Sequence, residues 1–107
     1  MDDVFRALAD PNRRLLLDRL RARNGQTLGE LAGTIDMSRQ AVTKHLAVLE
    51  EANLVVTIWR GREKLHYLNP APIHDIARRW IAEYEKTRVA ALADLKRALE
   101  ERETSDD

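Results

Sequence analysis

The chain contains no cysteine. Disulfides, thiolate metal sites and a cysteine nucleophile are excluded, and a cytoplasmic home fits that usage. No apolar run approaches the ~18 residues of a membrane span. The opening Met1-Asp2-Asp3 lacks the basic and apolar stretches of a secretory signal. Aromatic residues are scarce, at one Phe, two Trp and two Tyr in 107 residues, so stacking on single-stranded bases is not expected as a main mode of contact. An excess of charge is missing as well: 18 basic and 18 acidic residues cancel, which argues against a polycationic nucleic-acid coat protein. Also missing are a nucleophile with a base partner, a glycine-rich phosphate loop and a converging carboxylate pair, so no enzyme is expected. Asp2-Asp3 and Glu50-Glu51 are sequence neighbours that point in different directions from helices and read as solvated charge.

What is present is enough for one domain with a modest core, since 44% of the residues are hydrophobic. Its charge is unevenly spread: residues 38–66 carry five basic against three acidic groups, and residues 70–107 seven against nine. Any positive field facing DNA is therefore local and mild, and binding should respond to salt.

The stretch from Ser38 to Val55 organises the rest. Ser38 is a helix N-cap, its hydroxyl available to the first free N–H groups. From Arg39 to Ala52, Ala41, Val42, His45, Leu46 and Leu49 recur at spacings of three and four, the buried stripe of an amphipathic helix. Left outward near its start are Arg39, Gln40, Thr43 and Lys44, groups suited to phosphate oxygens and base edges. Asn53 can take the left-handed position that ends a helix. Such a pattern alone also describes an ordinary solvated surface helix, so the flanking segments decide.

Before it, Asp2–Ala9 reads as a short helix with Val4, Phe5 and Leu8 on one face. Asp10-Pro11 then caps and opens a second helix to about Arg23, with Leu16, Leu17 and Leu20 buried, closed by Asn24-Gly25 through a left-handed turn. The arginines at 13, 14, 19, 21 and 23 read mostly as solvated. Thr27 and Glu30 form a capping box for a short helix that turns Leu28, Leu31, Ala32 and Ile35 inward. Asp36-Met37 connects it tightly to Ser38, which makes a helix-turn-helix. After Asn53, Leu54–Arg60 and Glu63–Leu68 are strands joined by a turn at Gly61. A hairpin directly after a reading helix is a wing. Its cations Arg60, Arg62 and Lys64 suit phosphates or an adjacent minor groove, and the competing reading is edge protection by charge.

Asn69-Pro70-Ala71-Pro72 starts a long helix from Ile73 to about Arg102, with an apolar stripe that includes Ile76, Trp80, Ile81, Tyr84, Leu92, Leu95 and Leu99. So small a domain cannot cover that stripe with its own short helices. Together with Val4, Phe5 and Leu8, it is expected to bury against a second copy. A core role within one chain, or a different protein partner, is the competing explanation. The fold class is thus mainly α with a small β-hairpin. Residues 1–103 would form a single winged helix-turn-helix domain for DNA binding and dimerisation, and 104–107 a disordered acidic tail.

The chain resembles the ArsR family of winged-helix bacterial repressors from Val4 to about Leu99. The resemblance is carried by F-R-A-L-A-D-P-N-R-R at 5–14, L-G-E-L-A at 28–32, M-S-R-Q-A-V-T-K-H-L-A-V-L at 37–49, A-N-L-V at 52–55 and G-R-E-K-L-H-Y-L-N-P at 61–70. From Leu65 to Trp80 it is similar to a metal-independent branch, often encoded beside proteins with a START-related domain. The resemblance implies a homodimeric repressor over a promoter, often its own. It implies Gln40, Thr43 and Lys44 in the major groove, Ser38, Arg39 and His45 near phosphates, and Arg60 and Arg62 on the wing. Metal-sensing members carry a Cys-x-Cys motif where this chain has Leu31-Ala32-Gly33-Thr34, and others pair Asp and His ligands along the long helices. Here His74 and Asp75 are adjacent and no histidine follows, while His45, His66 and His74 fall on three elements, so neither metal nor other cofactor is expected. The function expected is sequence-specific double-stranded DNA binding by a dimeric repressor at a palindromic operator. The alternative is a winged-helix protein-interaction module without a DNA target.

Overall fold

Five helices and one hairpin follow one another through residues 2–105, the residues that the computed structural model describes. They are α1 (Asp2–Leu8), α2 (Pro11–Ala22), α3 (Leu28–Thr34), α4 (Arg39–Glu51), β1 (Val55–Arg60), β2 (Glu63–Leu68) and α5 (Ala71–Ser105). The residues divide into two units, one ending at His74 and one beginning at Asp75.

Local chemistry sets most of the boundaries in the first unit. The Asp10 carboxylate accepts from the N–H groups of Asn12 (2.7 Å) and Arg13 (3.3 Å) and caps α2, with Pro11 in the first turn where no N–H is needed. Thr27 Oγ1 accepts from Glu30 N–H at 3.2 Å, and Glu30 accepts from Thr27 N–H at 3.2 Å, closing both arms of the capping box on α3. Ser38 Oγ accepts from Ala41 N–H at 3.1 Å at the start of α4, and Asn53 ends the helix region with φ 60°. Asn69 Oδ1 accepts from Ala71 N–H at 3.2 Å, so α5 starts at Ala71, ahead of the expected Ile73. Gly61 takes φ 63° in the hairpin turn, a conformation open to glycine at little cost. The antiparallel register then runs from Val55 opposite Leu68 to Arg60 opposite Glu63.

The core lies between α2, α3, α4 and the root of the wing, where Leu16, Leu20, Leu31, Val42, Leu49, Leu54 and Val55 are fully buried. Each such side chain contributes about 1.5–3 kcal/mol by leaving water. Two polar residues share this interior and are satisfied. Gln26 and His66 exchange backbone hydrogen bonds as an isolated bridge beside β2, and Gln26 Nε2 donates to the carbonyls of Arg19 and Arg23. His66 Nδ1 lies 2.9 Å from the Gln26 carbonyl; a carbonyl only accepts, so the ring carries a proton on that nitrogen. The bridge fastens the wing to the end of α2.

Several expectations need correction. Val4, expected on a dimer seam, is buried in the chain's own core with Ala7, because α1 packs on α2 and α4 through those two residues. Phe5 is exposed and Leu8 half-buried. After α2 the left-handed turn falls at Gly25, as expected, while Arg23 before it is extended. Arg13 and Arg14 are not solvated bystanders. Arg13 donates to the carbonyls of Ala7 (2.8 Å) and Arg6 (2.8 Å), and Arg14 to that of Leu8 (2.6 Å), so α2 caps the free carbonyl end of α1.

In the second unit, α5 continues as unbroken helix. Tyr84, Ile81, Leu92, Leu95, Leu99 and Trp80 are exposed along it, Tyr84 the most at 69%. Trp80 and Tyr84 meet edge to face with ring centroids 6.5 Å apart. The ion pairs here, such as Arg78–Asp75 and Arg97–Asp94, are exposed one-turn pairs of small energetic weight. The tail expected to be disordered over 104–107 is helical at 104 and 105; Asp106 and Asp107 lie outside the described residues. The run Leu99-Glu100-Glu101-Arg102 consists of strong helix formers, which carries the helix on.

Two measurements check these contacts. Arg13→Ala leaves two carbonyls at the end of α1 without their donor and is expected to destabilise by about 1–3 kcal/mol, read as a lower urea midpoint at unchanged slope. Arg13→Lys should not restore it, because one ammonium lacks the two-armed reach. Wild-type stability in Arg13→Ala would show that the α1 contact carries no weight. The second concerns acid. The Thr27 N–H bond, helped by the Arg23 guanidinium paired with Glu30, holds the Glu30 carboxyl below its ordinary 4.5 against an opposing desolvation. At Asp10 partial desolvation pushes upward, but the Asn12 and Arg13 N–H bonds and the nearby positive charge prevail and the value falls below 3.8. A carboxyl lowered in the folded state contributes stability above its unfolded value and loses it as pH falls through the folded value. Stability should therefore decline below the ordinary carboxylate range, and less steeply in Glu30→Gln than in wild type. Parallel acid profiles would contradict the box.

Candidate nucleic-acid interface

Helix α4 buries Val42, Leu46 and Leu49. At 3.6 residues per turn, that choice leaves Arg39, Gln40, Thr43 and Lys44 facing out, and all four are exposed along with Ser38. The outward set divides in two. Arg39 and Thr43 lie on the side toward the wing, one turn apart, and Thr43 Oγ1 donates to the Arg39 carbonyl at 2.8 Å. Gln40 and Lys44 form the neighbouring row.

Between the start of α3, the outer side of α4 and the wing lies an open groove of about 480 Å³. Arg39, Thr43, Arg62 and Lys64 line it, with Thr27, Gly29, Glu50 and Glu63 on its walls. The fold thus brings three cations from α4, the wing turn and β2 onto one concave face. The Arg39 guanidinium lies across the first turn of α3, 2.7 Å from where a Cβ at position 29 would stand. Arg60 is exposed on the hairpin just before the turn.

Two of the expected residues sit elsewhere. Lys64 is half-buried and does not stand free at the wing tip. Its ammonium is 3.3 Å from Glu50 Oε1, which ties β2 to the last turn of α4 and compensates a carboxylate oxygen otherwise buried without a donor. His45 belongs to the inner side of α4. Its Nδ1 is 3.4 Å from the Arg13 guanidinium, which can only donate, so that nitrogen is the acceptor. His45 is half-buried against the α1–α2 corner, where it does not join the outward set. The groove walls from Thr27 to Gly29 and the Glu50 tie were not singled out from the sequence. Glu50 and Lys64 are fourteen positions apart on different elements, and no local period links them.

Among the described residues, no three His, Cys, Asp or Glu side chains converge in a way that could hold a metal ion. His66 and His74 lie on β2 and α5, apart from His45 on α4. No helix of the described residues is long and apolar enough to cross a membrane.

Comparison with known proteins agrees with this geometry. Residues 8–58 match the helix-turn-helix domain family. The chain is 40% identical to the HTH-type transcriptional regulator YuzN of Bacillus subtilis, over 75% of this chain and 94% of that protein. It is 31% identical to the transcriptional repressor SdpR of the same organism, over 70% of this chain and 82% of the relative. Among solved structures, an ArsR-like transcriptional regulator from Rhodococcus sp. RHA1 superposes with a TM-score of 0.76 at 32% identity, covering 91% of this chain and 90% of that one. A Ser38-capped helix α4, a wing pinned to it through Lys64 and Glu50, and these likenesses together establish the chain as a member of the ArsR family of winged helix-turn-helix, DNA-binding transcriptional regulators.

Proposed function

We propose that the protein is a cytoplasmic, homodimeric repressor of the metal-independent branch that reads a palindromic operator, its own promoter included. The observation that carries this reading is the row Arg39, Gln40, Thr43 and Lys44, outward on a capped helix beside a groove that also carries Arg62 of the wing. Gln40, Thr43 and Lys44 have the donors and acceptors for base edges in the major groove, while Ser38 and Arg39 suit phosphates. Arg60 and Arg62 of the wing grip the flanking backbone; Lys64, held by Glu50, sets the wing against α4 more than it reaches outward. His45 acts through packing on the α1–α2 corner. Affinity comes mainly from phosphate neutralisation and discrimination from α4.

The dimer reading rests on exposed apolar area. Phe5 and Leu8 on α1 and the row Ile76, Trp80, Ile81, Tyr84, Leu92, Leu95 and Leu99 on α5 are the candidate contacts, with most of that row more than half exposed. A two-fold axis along such helices lets two copies present two reading helices to one duplex. Metal independence is supported by Leu31-Ala32-Gly33-Thr34, which offers no side-chain ligand of the kind a metal-sensing thiolate pair provides.

Anisotropy titrations on a labelled duplex from the region upstream of the gene, and on a scrambled duplex, test the contacts at several salt concentrations. Gln40→Ala is expected to lose ~1–3 kcal/mol on the operator and little on the scrambled duplex, flattening base preference. Arg62→Ala should weaken both and lower the salt slope by about one. Equal losses on both duplexes for Gln40→Ala would contradict its base-reading role. For assembly, Tyr84→Glu combined with Leu92→Glu should convert a dimer to a monomer in light scattering and abolish tight operator binding. A dimer that survives the double change would exclude this helix row as the seam.

A further inference from the structure

Trp59 is the most costly residue on the wing to leave in water. It stands in β1, one position before Arg60, and 66% of it is exposed. Its partner in the register is Lys64, so the two side chains project from the same face of the hairpin. That face is fixed by independent contacts. Lys64 reaches Glu50 at the end of α4, and both Lys64 and His66, two positions on, line the groove beside the reading helix. The indole is therefore carried on the groove side of the wing, level with Lys64 and next to the Arg60-Gly61-Arg62 turn. The groove it flanks is lined by Arg39, Arg62 and Lys64 against Glu50 and Glu63, and with Lys64 paired to Glu50 the cations that remain to meet a phosphate backbone are Arg39 and Arg62. By contrast, Val56 and Ile58 project from the opposite face, with no cation among the residues opposite them in the register.

We propose that Trp59 is a DNA-contacting residue whose indole packs on the deoxyribose edge of the strand gripped by the wing. This rests on the reading of the groove as the duplex-binding face and deepens it. Arg60 and Arg62 supply the ionic part of the wing contact, and Trp59 adds apolar area where the sugars present C–H groups between phosphates. A buried aromatic plane removes water from the neighbouring ionic contacts as well, which is how such residues come to anchor interfaces. The two kinds of contact differ in one measurable respect. An arginine on a phosphate releases counterions and steepens the dependence of affinity on salt; an indole on a sugar does not.

The chain's two tryptophans make the test direct. Wild type and Trp59→Phe are titrated with the same upstream duplex, following anisotropy of the DNA label and intrinsic emission together, with acrylamide quenching of free and bound protein. Wild-type emission should change on binding and become less accessible to quencher, and Trp59→Phe, which retains Trp80, should lose most of that change. Trp59→Ala, checked for an unchanged circular dichroism spectrum, should bind roughly tenfold more weakly at every salt concentration with an unaltered salt slope. Duplex binding in which Trp59→Ala keeps wild-type affinity, or in which Trp59 stays as quenchable as before, overturns the assignment while the repressor reading stands. Shielding of Trp59 in the free protein that grows with protein concentration also overturns it, by making the indole a contact between copies. Absence of duplex binding by wild type overturns both readings.

Discussion

Burial of Val42, Leu46 and Leu49 on one side of α4 is the constraint from which the rest follows. An α-helix advances about 100° per residue, so anchoring those three fixes the azimuth of every other side chain. Arg39, Gln40, Thr43 and Lys44 have no freedom to face inward once the stripe is set. Their exposure is the other half of the same packing decision, and the cost of reversing it is the transfer of three aliphatic side chains to water.

Around that helix, long-range contacts hold the geometry that a reading unit needs. The α1–α2 corner is closed by Arg13 and Arg14 on the carbonyl end of α1, and Arg13 also meets His45 on the inner side of α4. On the other side, Lys64 ties the wing to Glu50. Gln26 and His66 fasten β2 to the end of α2 with backbone and side-chain bonds in a buried position, where a lost partner is expensive. Reading helix and wing are thus braced from both flanks. In a chain of zero net charge, Arg39 and Arg62 are still gathered from two separate elements onto one groove, where Glu50 is already matched by Lys64.

The part of the fold legible in the sequence is the part governed by neighbours along the chain. Asp10-Pro11, Thr27 with Glu30, Ser38, Asn53 and Gly61 each satisfy a rule about backbone N–H groups or φ that operates within four residues, and each boundary falls within two residues of where those rules put it. The register of the hairpin follows in the same way from Gly61. Contacts between elements were not legible. Nothing local distinguishes Arg13, which caps another helix, from Arg19 or Arg21 in the same run. Val4 and Phe5 are adjacent apolar residues, and only the packing of α1 on α2 and α4 decides that the first is core and the second surface. Trp59 belongs to the strand Leu54–Arg60 in any local reading; its 66% exposure is a property of the assembled face and leaves no mark in the periodicity.

The central claim is that two copies set a pair of Ser38-capped helices into one side of a duplex. Hydroxyl-radical footprinting on the upstream DNA tests it without any substitution. The account predicts two protected patches of equal strength on a single face, related by two-fold symmetry and centred one helical turn apart, about 10 base pairs, or a whole multiple of that. A single unsymmetrical patch, or protection spread evenly around the helix, would contradict it.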